Sequence, residues 1–104
     1  VLSGMPTDSF VFEGFLSQKP GRRRNELKAL CGEKRTIVVY ESPHRILKTL
    51  KDILDIMGDR DIAICREVTK VFEEALRMKT SEALEHFTKN EPRGEIIVVI
   101  KGAE

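Results

Sequence analysis

Residues 41–45 read Glu41-Ser42-Pro43-His44-Arg45, directly after the β-branched run Ile37-Val38-Val39. A carboxylate, a hydroxyl, an imidazole and a guanidinium thus fall within one short segment. Those groups can hold an anion or move a proton. If the segment leaves a strand and opens a helix, free N–H groups and a partial positive charge meet it there. Cations are disfavoured in a first helical turn, so His44 and Arg45 at that place suggest a bound anion such as a phosphate. Equally, Glu41 pairs with Arg45 and His44 packs as a neutral ring. A second polar cluster, Arg66-Glu67-Val68-Thr69-Lys70 with Glu73-Glu74, follows the apolar run 62–65. It can form an ion-pair network or position a substrate loop. Gly94-Glu95, before a third apolar run, marks either a close backbone approach or a strand entry. His86, beside Phe87, reads as a helix-surface residue. No Cys/His spacing fits zinc, no glycine-rich phosphate loop occurs, and Ser42 has no nucleophile elbow around it.

These groups need elements to carry them. The alternation at Phe10 and Phe12 predicts a strand over 10–15. Leu27, Leu30 and Cys31 predict a helix over about 22–31, stopped by Gly32. Thr36 to Tyr40 reads as a buried strand. Ser42 is expected to cap a helix with Pro43 at its first position. The stripe Ile46, Leu47, Leu50, Ile53, Leu54, Met57 carries that helix to Gly58. Ile62–Cys65 is a short buried strand, and 73–79 leans towards a strand around Ala75–Met78. Thr80 or Ser81 caps a helix bearing Ala83, Leu84 and Phe87, which Asn90-Glu91-Pro92 stops. Ile96–Ile100 is the last strand. Strand–helix alternation predicts an α/β domain: a mainly parallel or mixed, mainly five-stranded sheet with flanking helices.

Composition bounds the rest. The 104 residues are 40% hydrophobic, 34% charged and 6% aromatic, which fits one folded domain and excludes a disordered chain. No apolar run approaches a membrane span and no secretory signal is visible. Cys31 and Cys65 form neither a disulfide framework nor a metal knot, and read as buried reduced thiols in the cytoplasm. The net charge is +1, yet residues 19–35 alone carry +5. Such a basic segment suits an anionic partner or a solvated helix face.

The strings Phe10-Val11-Phe12-Glu13-Gly14-Phe15-Leu16, Tyr40-Glu41-Ser42-Pro43-His44-Arg45, Arg66-Glu67-Val68-Thr69-Lys70 and Arg93-Gly94-Glu95-Ile96, in this order, resemble the bacterial ribosomal RNA small-subunit methyltransferase I family. That family is a branch of the tetrapyrrole (corrin/porphyrin) methylases. The resemblance implies methyl transfer from S-adenosylmethionine to a cytidine ribose 2′-oxygen in 16S rRNA of the small ribosomal subunit. It implies two α/β domains with the cofactor between them, a cytoplasmic homodimer and no membrane. Residues 10–104 are then a C-terminal domain, inactive without its N-terminal partner domain, and residues 1–9 the residual end of what precedes. It implies further that Lys19 and Arg22, Arg23, Arg24 contact the RNA backbone, with Arg66. Arg45, Arg66 and Lys70 would hold a phosphate nearer the cleft. Glu41, His44, Glu67 and Glu73 would orient those cations or move a proton. Phe15, Leu16, Gly94 and Glu95 would border the cofactor, and no metal is expected. The chain departs from the family at Ser17-Gln18-Lys19-Pro20, where a Pro usually follows the Gly-Phe-Leu string. The other readings are a tetrapyrrole methyltransferase domain, a non-catalytic RNA-binding module and a dimerisation domain.

Overall fold

In a computed structural model of the chain, residues 10–68, 71–90 and 94–103 are described. They form β1 (Phe10–Phe15), α1 (Pro20–Leu30), β2 (Thr36–Glu41), α2 (Ile46–Met57), β3 (Asp61–Val68), β4 (Val71–Lys79), α3 (Thr80–Lys89) and β5 (Ile96–Ile100). The sheet order is β1-β2-β5-β3-β4. β1 and β2 are parallel, while β5 lies antiparallel to both β2 and β3, and β4 antiparallel to β3. The sheet is therefore mixed, as the alternation allowed. The segment 71–79 is strand throughout and completes a hairpin with β3.

Side-chain alternation divides the sheet into two faces. Ile37, Val39, Ile62, Ile64, Ile96, Val98 and Ile100 face one core together with Leu27 and Leu30 of α1, Ile46, Leu50, Ile53 and Met57 of α2, and Ala83 and Phe87 of α3. All three helices thus cover the same face. The other face carries a smaller buried group of Ala63, Cys65 and Val99 with Ile97 beside it. β5 reads as an unbroken apolar run because, as the central strand, it contributes to both groups.

One bulge decides which way β1 presents its aromatic residues. Phe12 pairs with Val38, but the next pairs are Gly14 with Val39 and Phe15 with Tyr40, so Glu13 is the extra residue. Gly14 takes φ 68°, a left-handed value that suits glycine. In a regular register Phe15 would face the helices and Leu16 the other side. The inserted residue exchanges them. Leu16 joins the core beneath the helices, and Phe15 is exposed beside Phe12.

The far end of the sheet is tied by Arg60. Its guanidinium donates to the carbonyls of Cys31 (2.6 Å), Met57 (3.1 Å) and Lys101 (3.1 Å). Three segments are joined by one side chain.

Candidate active site at the carboxyl ends of the strands

The strand registers bring the polar motifs to one end of the sheet. β1 leaves at Phe15, opposite Tyr40; β2 leaves at Glu41, opposite Ile96; β3 passes Arg66, also opposite Ile96. Because β5 runs the other way, its entry at Gly94 and Glu95 lies at that same end. α1 and α2 both begin there. Lys19, Arg22, Glu41, His44, Arg45, Phe15, Gly94 and Glu95 therefore share one rim, with the backbone of Arg66, Glu67 and Glu73 beside it. Open α/β sheets bind ligands at such ends. Lys70, expected to take part, lies outside the described residues, as does the segment 1–9.

The segment 42–45 is not the first turn of a helix. Ser42 does not cap α2. Pro43, His44 and Arg45 form a turn closed by the Arg45 N–H on the Ser42 carbonyl (3.1 Å), and the first helical bond runs from Thr49 N–H to the Arg45 carbonyl (3.0 Å). Arg45 is the residue at the cap, without a side-chain cap bond. The reason lies in Glu41, which stands at 2% exposure on the helix-covered face. Its Oε1 accepts the Ser42 N–H (2.8 Å) and Arg45 Nε (3.2 Å), and its Oε2 accepts the Thr49 hydroxyl (2.5 Å). A buried carboxylate demands such donors, and meeting them folds 42–45 back over the helix start. Glu41 pairs with Arg45 as the second reading expected, but His44 is exposed rather than packed away. The imidazole lines a cleft of about 520 Å³ between the start of α2 and the end of α3, with Pro43, Leu47, Phe87 and Lys89.

Ser42 Oγ is buried and has no hydrogen-bond partner among the described residues. Thr49 escaped sequence reasoning. Its signal is a lone hydroxyl inside the apolar stripe of α2, three residues after Ile46.

The basic segment divides in two. Arg23 is 4% exposed and donates from Nε to Asp52 (2.7 Å). Arg24 reaches Asp52 (3.0 Å) and Asp55 (2.6 Å), bonds that hold its guanidinium above the ordinary arginine range, Asp55 contributing most. These two arginines fasten α1 to α2. Lys19 and Arg22, in contrast, are exposed at the rim. The departure at 17–20 also has a local function: the Ser17 N–H donates to Glu26 (2.8 Å), and Ser17 Oγ accepts the Lys19 N–H (3.2 Å). The turn thereby delivers Pro20 to the start of α1.

Of the four residues expected at a cofactor, Phe15 is exposed, while Leu16 lies behind it in the core. Gly94 takes φ 73°, and a Cβ there would meet nothing, so glycine answers a backbone requirement at the strand entry rather than a close approach. Both cysteines are free. Cys65 is buried, which pushes its thiol up, and Cys31 is half-buried. Among the described residues, no cluster of His, Cys, Asp or Glu could hold a metal, and no helix is long and apolar enough to cross a membrane.

Comparison with known proteins decides the family. Residues 2–84 match the tetrapyrrole (corrin/porphyrin) methylases. The chain belongs to that family. This methylase chain is 53% identical over 103 residues to ribosomal RNA small subunit methyltransferase I of Thermotoga maritima, covering 99% of this chain and 46% of that protein. It is 46% identical to the protein of the same name from Synechocystis, covering 99% of this chain and 37% of that one. The methylase chain thus spans less than half the length of those relatives. A cobalamin-biosynthetic cobalt-precorrin-4 methyltransferase superposes with a TM-score of 0.60 at 16% identity, over 97% of this chain and 44% of that one, and shows the same fold.

Proposed function

We propose that the full-length protein transfers a methyl group from S-adenosylmethionine to the ribose 2′-oxygen of a cytidine in 16S rRNA of the small ribosomal subunit. It works as a homodimer in the cytoplasm, and this chain supplies the C-terminal wall of a cofactor cleft completed by a second domain. The observation that carries the reading is the convergence of Glu41, His44, Arg45, Lys19 and Arg22 with the β5 entry at one sheet end. The high identity to proteins named for rRNA methylation supports it.

On this reading Phe15, Leu16, Gly94 and Glu95 border the adenosyl cofactor. Phe15 offers an exposed ring, and Gly94 and Glu95 an exposed backbone and carboxylate; Leu16 supports them from the core. When bound, S-adenosylmethionine supplies an activated methyl group on its sulfonium. The chain's own residues have the remaining tasks. Lys19 and Arg22 bind RNA phosphates and set register. Arg45, held through Nε by Glu41, keeps its terminal nitrogens for a phosphate near the target ribose. His44, exposed at the turn, takes the proton that the 2′-hydroxyl loses. Orientation of the ribose oxygen is the main demand of such a transfer, and a buried, fully bonded Glu41 supplies a rigid base for it.

The test uses the full-length protein with labelled S-adenosylmethionine and small ribosomal subunits lacking the modification. Digestion and mass spectrometry locate the label. A single labelled cytidine 2′-oxygen, lost in Arg45→Ala, is expected. Label absent from RNA but present on a tetrapyrrole would replace this reading by the substrate class of the family's name.

A further inference from the structure

His44 has two surroundings. One is the rim, where the reading above gives it the proton of a ribose 2′-hydroxyl. The other is the cleft of about 520 Å³ between the start of α2 and the end of α3. That volume lies in the range, about 300–1,000 Å³, in which proteins hold small organic groups. The lining is of the matching kind. Ile46, Leu47 and Phe87 give an apolar floor, and Pro43 adds a flat ring at the turn. Ile46 and Phe87 belong to the buried core, so its packing holds the floor in place.

Two polar side chains edge this floor. The His44 imidazole is exposed and has no side-chain partner among the described residues. Lys89 comes from the last turn of α3 and meets Glu85 at 3.2 Å, with the two side chains 70% and 71% exposed. A pair so open to water is weak, and its ammonium is available to a better acceptor. Thr88, in contrast, commits its hydroxyl to the Leu84 carbonyl (2.7 Å). An apolar floor edged by an imidazole and a donor-only ammonium suits a flat heteroaromatic ring that carries acceptors on its edge.

Connectivity selects the ring. A nucleobase is joined to the ribose carbon next to the one that bears the 2′-oxygen. With that oxygen at His44, the base falls beside His44, and the cleft is the space that His44 lines. Lys89 then selects among pyrimidines. Cytosine presents two adjacent acceptors, O2 and N3, whereas uracil carries an N–H at N3 that opposes an ammonium, which has no acceptor.

We propose that the cleft receives the base of the target nucleotide, unstacked from its RNA, and that Lys89 reads the O2 and N3 edge of cytosine. Splayed bases read on that edge are the usual basis of sequence recognition in RNA. The proposal rests on the RNA-methylation reading above and adds the base pocket and its specificity-determining residue.

The test uses the full-length protein and small ribosomal subunits lacking the modification, with either the target cytidine or a uridine at that position. Lys89→Ala should lower the preference for cytidine in kcat/KM at least roughly tenfold, the size of one lost charge-assisted hydrogen bond. Lys89→Arg, which is also donor-only, should restore part of it. Leu47→Trp, which fills the cleft, should raise KM for the cytidine subunits about tenfold or more, with a smaller change in kcat. Neither Lys89→Ala nor Leu47→Trp should alter S-adenosylmethionine affinity by calorimetry or the thermal midpoint. Photocrosslinking gives a readout independent of turnover: 5-iodocytidine at the target position should attach to a peptide carrying His44 or Phe87. A crosslink elsewhere, or a cytidine preference unchanged in Lys89→Ala, overturns the base pocket while the methylation reading stands. Weakened S-adenosylmethionine binding in Leu47→Trp would give the cleft to the cofactor and overturn the proposal as well. Methylation of neither subunit by the wild type overturns both readings.

Discussion

Arg22 and Arg23 are neighbours in sequence and opposites in environment. Arg23 sits against Asp52 with its side chain 4% exposed, while Arg22 is exposed at the rim. Charge-assisted bonds of the first kind contribute roughly 1.5–3 kcal/mol. Arg23→Ala should therefore cost about 2 kcal/mol in urea unfolding, whereas Arg22→Ala should leave the midpoint unchanged and lower RNA affinity. The reverse pattern would mean that the α1–α2 contact does not hold Arg23. Thr49 is a second case. Thr49→Val keeps the volume but leaves Glu41 Oε2 without its donor, at an expected cost of about 1–3 kcal/mol. Thr49→Ser, which retains the hydroxyl, should recover most of it. If Thr49→Val also depresses methyl transfer by the full-length protein more than its stability loss explains, Glu41 is positioning Arg45.

Among the elements, α3 begins at Lys79, whose N–H donates to Glu82 of the helix's own first turn (2.8 Å), and not with a Thr80 or Ser81 cap. Asp59, from the α2–β3 connection, accepts the Ser81 N–H (2.8 Å) and hydroxyl (2.7 Å). Those bonds, the backbone one foremost, hold the Asp59 carboxyl below the ordinary carboxylate range. A depressed folded value means that the contribution is complete above the unfolded value, about 3.9, and disappears as pH falls through the lower folded one. Thermal midpoints of the wild type should thus fall as the pH drops below about 4, and Asp59→Asn should flatten that part of the curve. An unchanged curve would assign the acid sensitivity to other carboxylates. The bulge on β1 gives a second element-scale test: deletion of Glu13 should return Leu16 to the uncovered face and lose about 2–3 kcal/mol of its burial, read as a lower urea midpoint.

These elements also show where the sequence was legible. Periodicity located α2 and β5 plainly, since Ile46–Met57 and Ile96–Ile100 carry their own patterns, while 73–79 only leaned towards the strand that is β4. It misjudged the start of α2, because Ser42-Pro43 is a strong cap signal and Glu41's demand for donors overrides it only in three dimensions. The rim was legible as motifs at strand ends. The division of Arg22 from Arg23 and Arg24 was not, since it depends on Asp52 and Asp55, about thirty residues away in the chain. The bulge that exchanges Phe15 and Leu16 left only a glycine as its sign.

At the scale of the whole molecule, the proposed cleft between two domains predicts that one wall alone does not preorganise a sulfonium. The 104-residue chain alone should bind S-adenosylmethionine at least roughly a hundredfold more weakly than the full-length protein by calorimetry, a difference of about 2.7 kcal/mol. Equal affinities would place the cofactor's contacts within this chain. The sheet order has a separate consequence for how the chain acquires its structure. Of the five described strands, β5 comes last in the chain and yet stands in the middle, between β2 and β3. Until it is delivered, the nascent chain presents two unmatched apolar strand edges, and no earlier pairing can substitute for the missing one. Vectorial synthesis therefore leaves the domain open to chaperones for nearly its whole length, and closure comes as one late, long-range insertion.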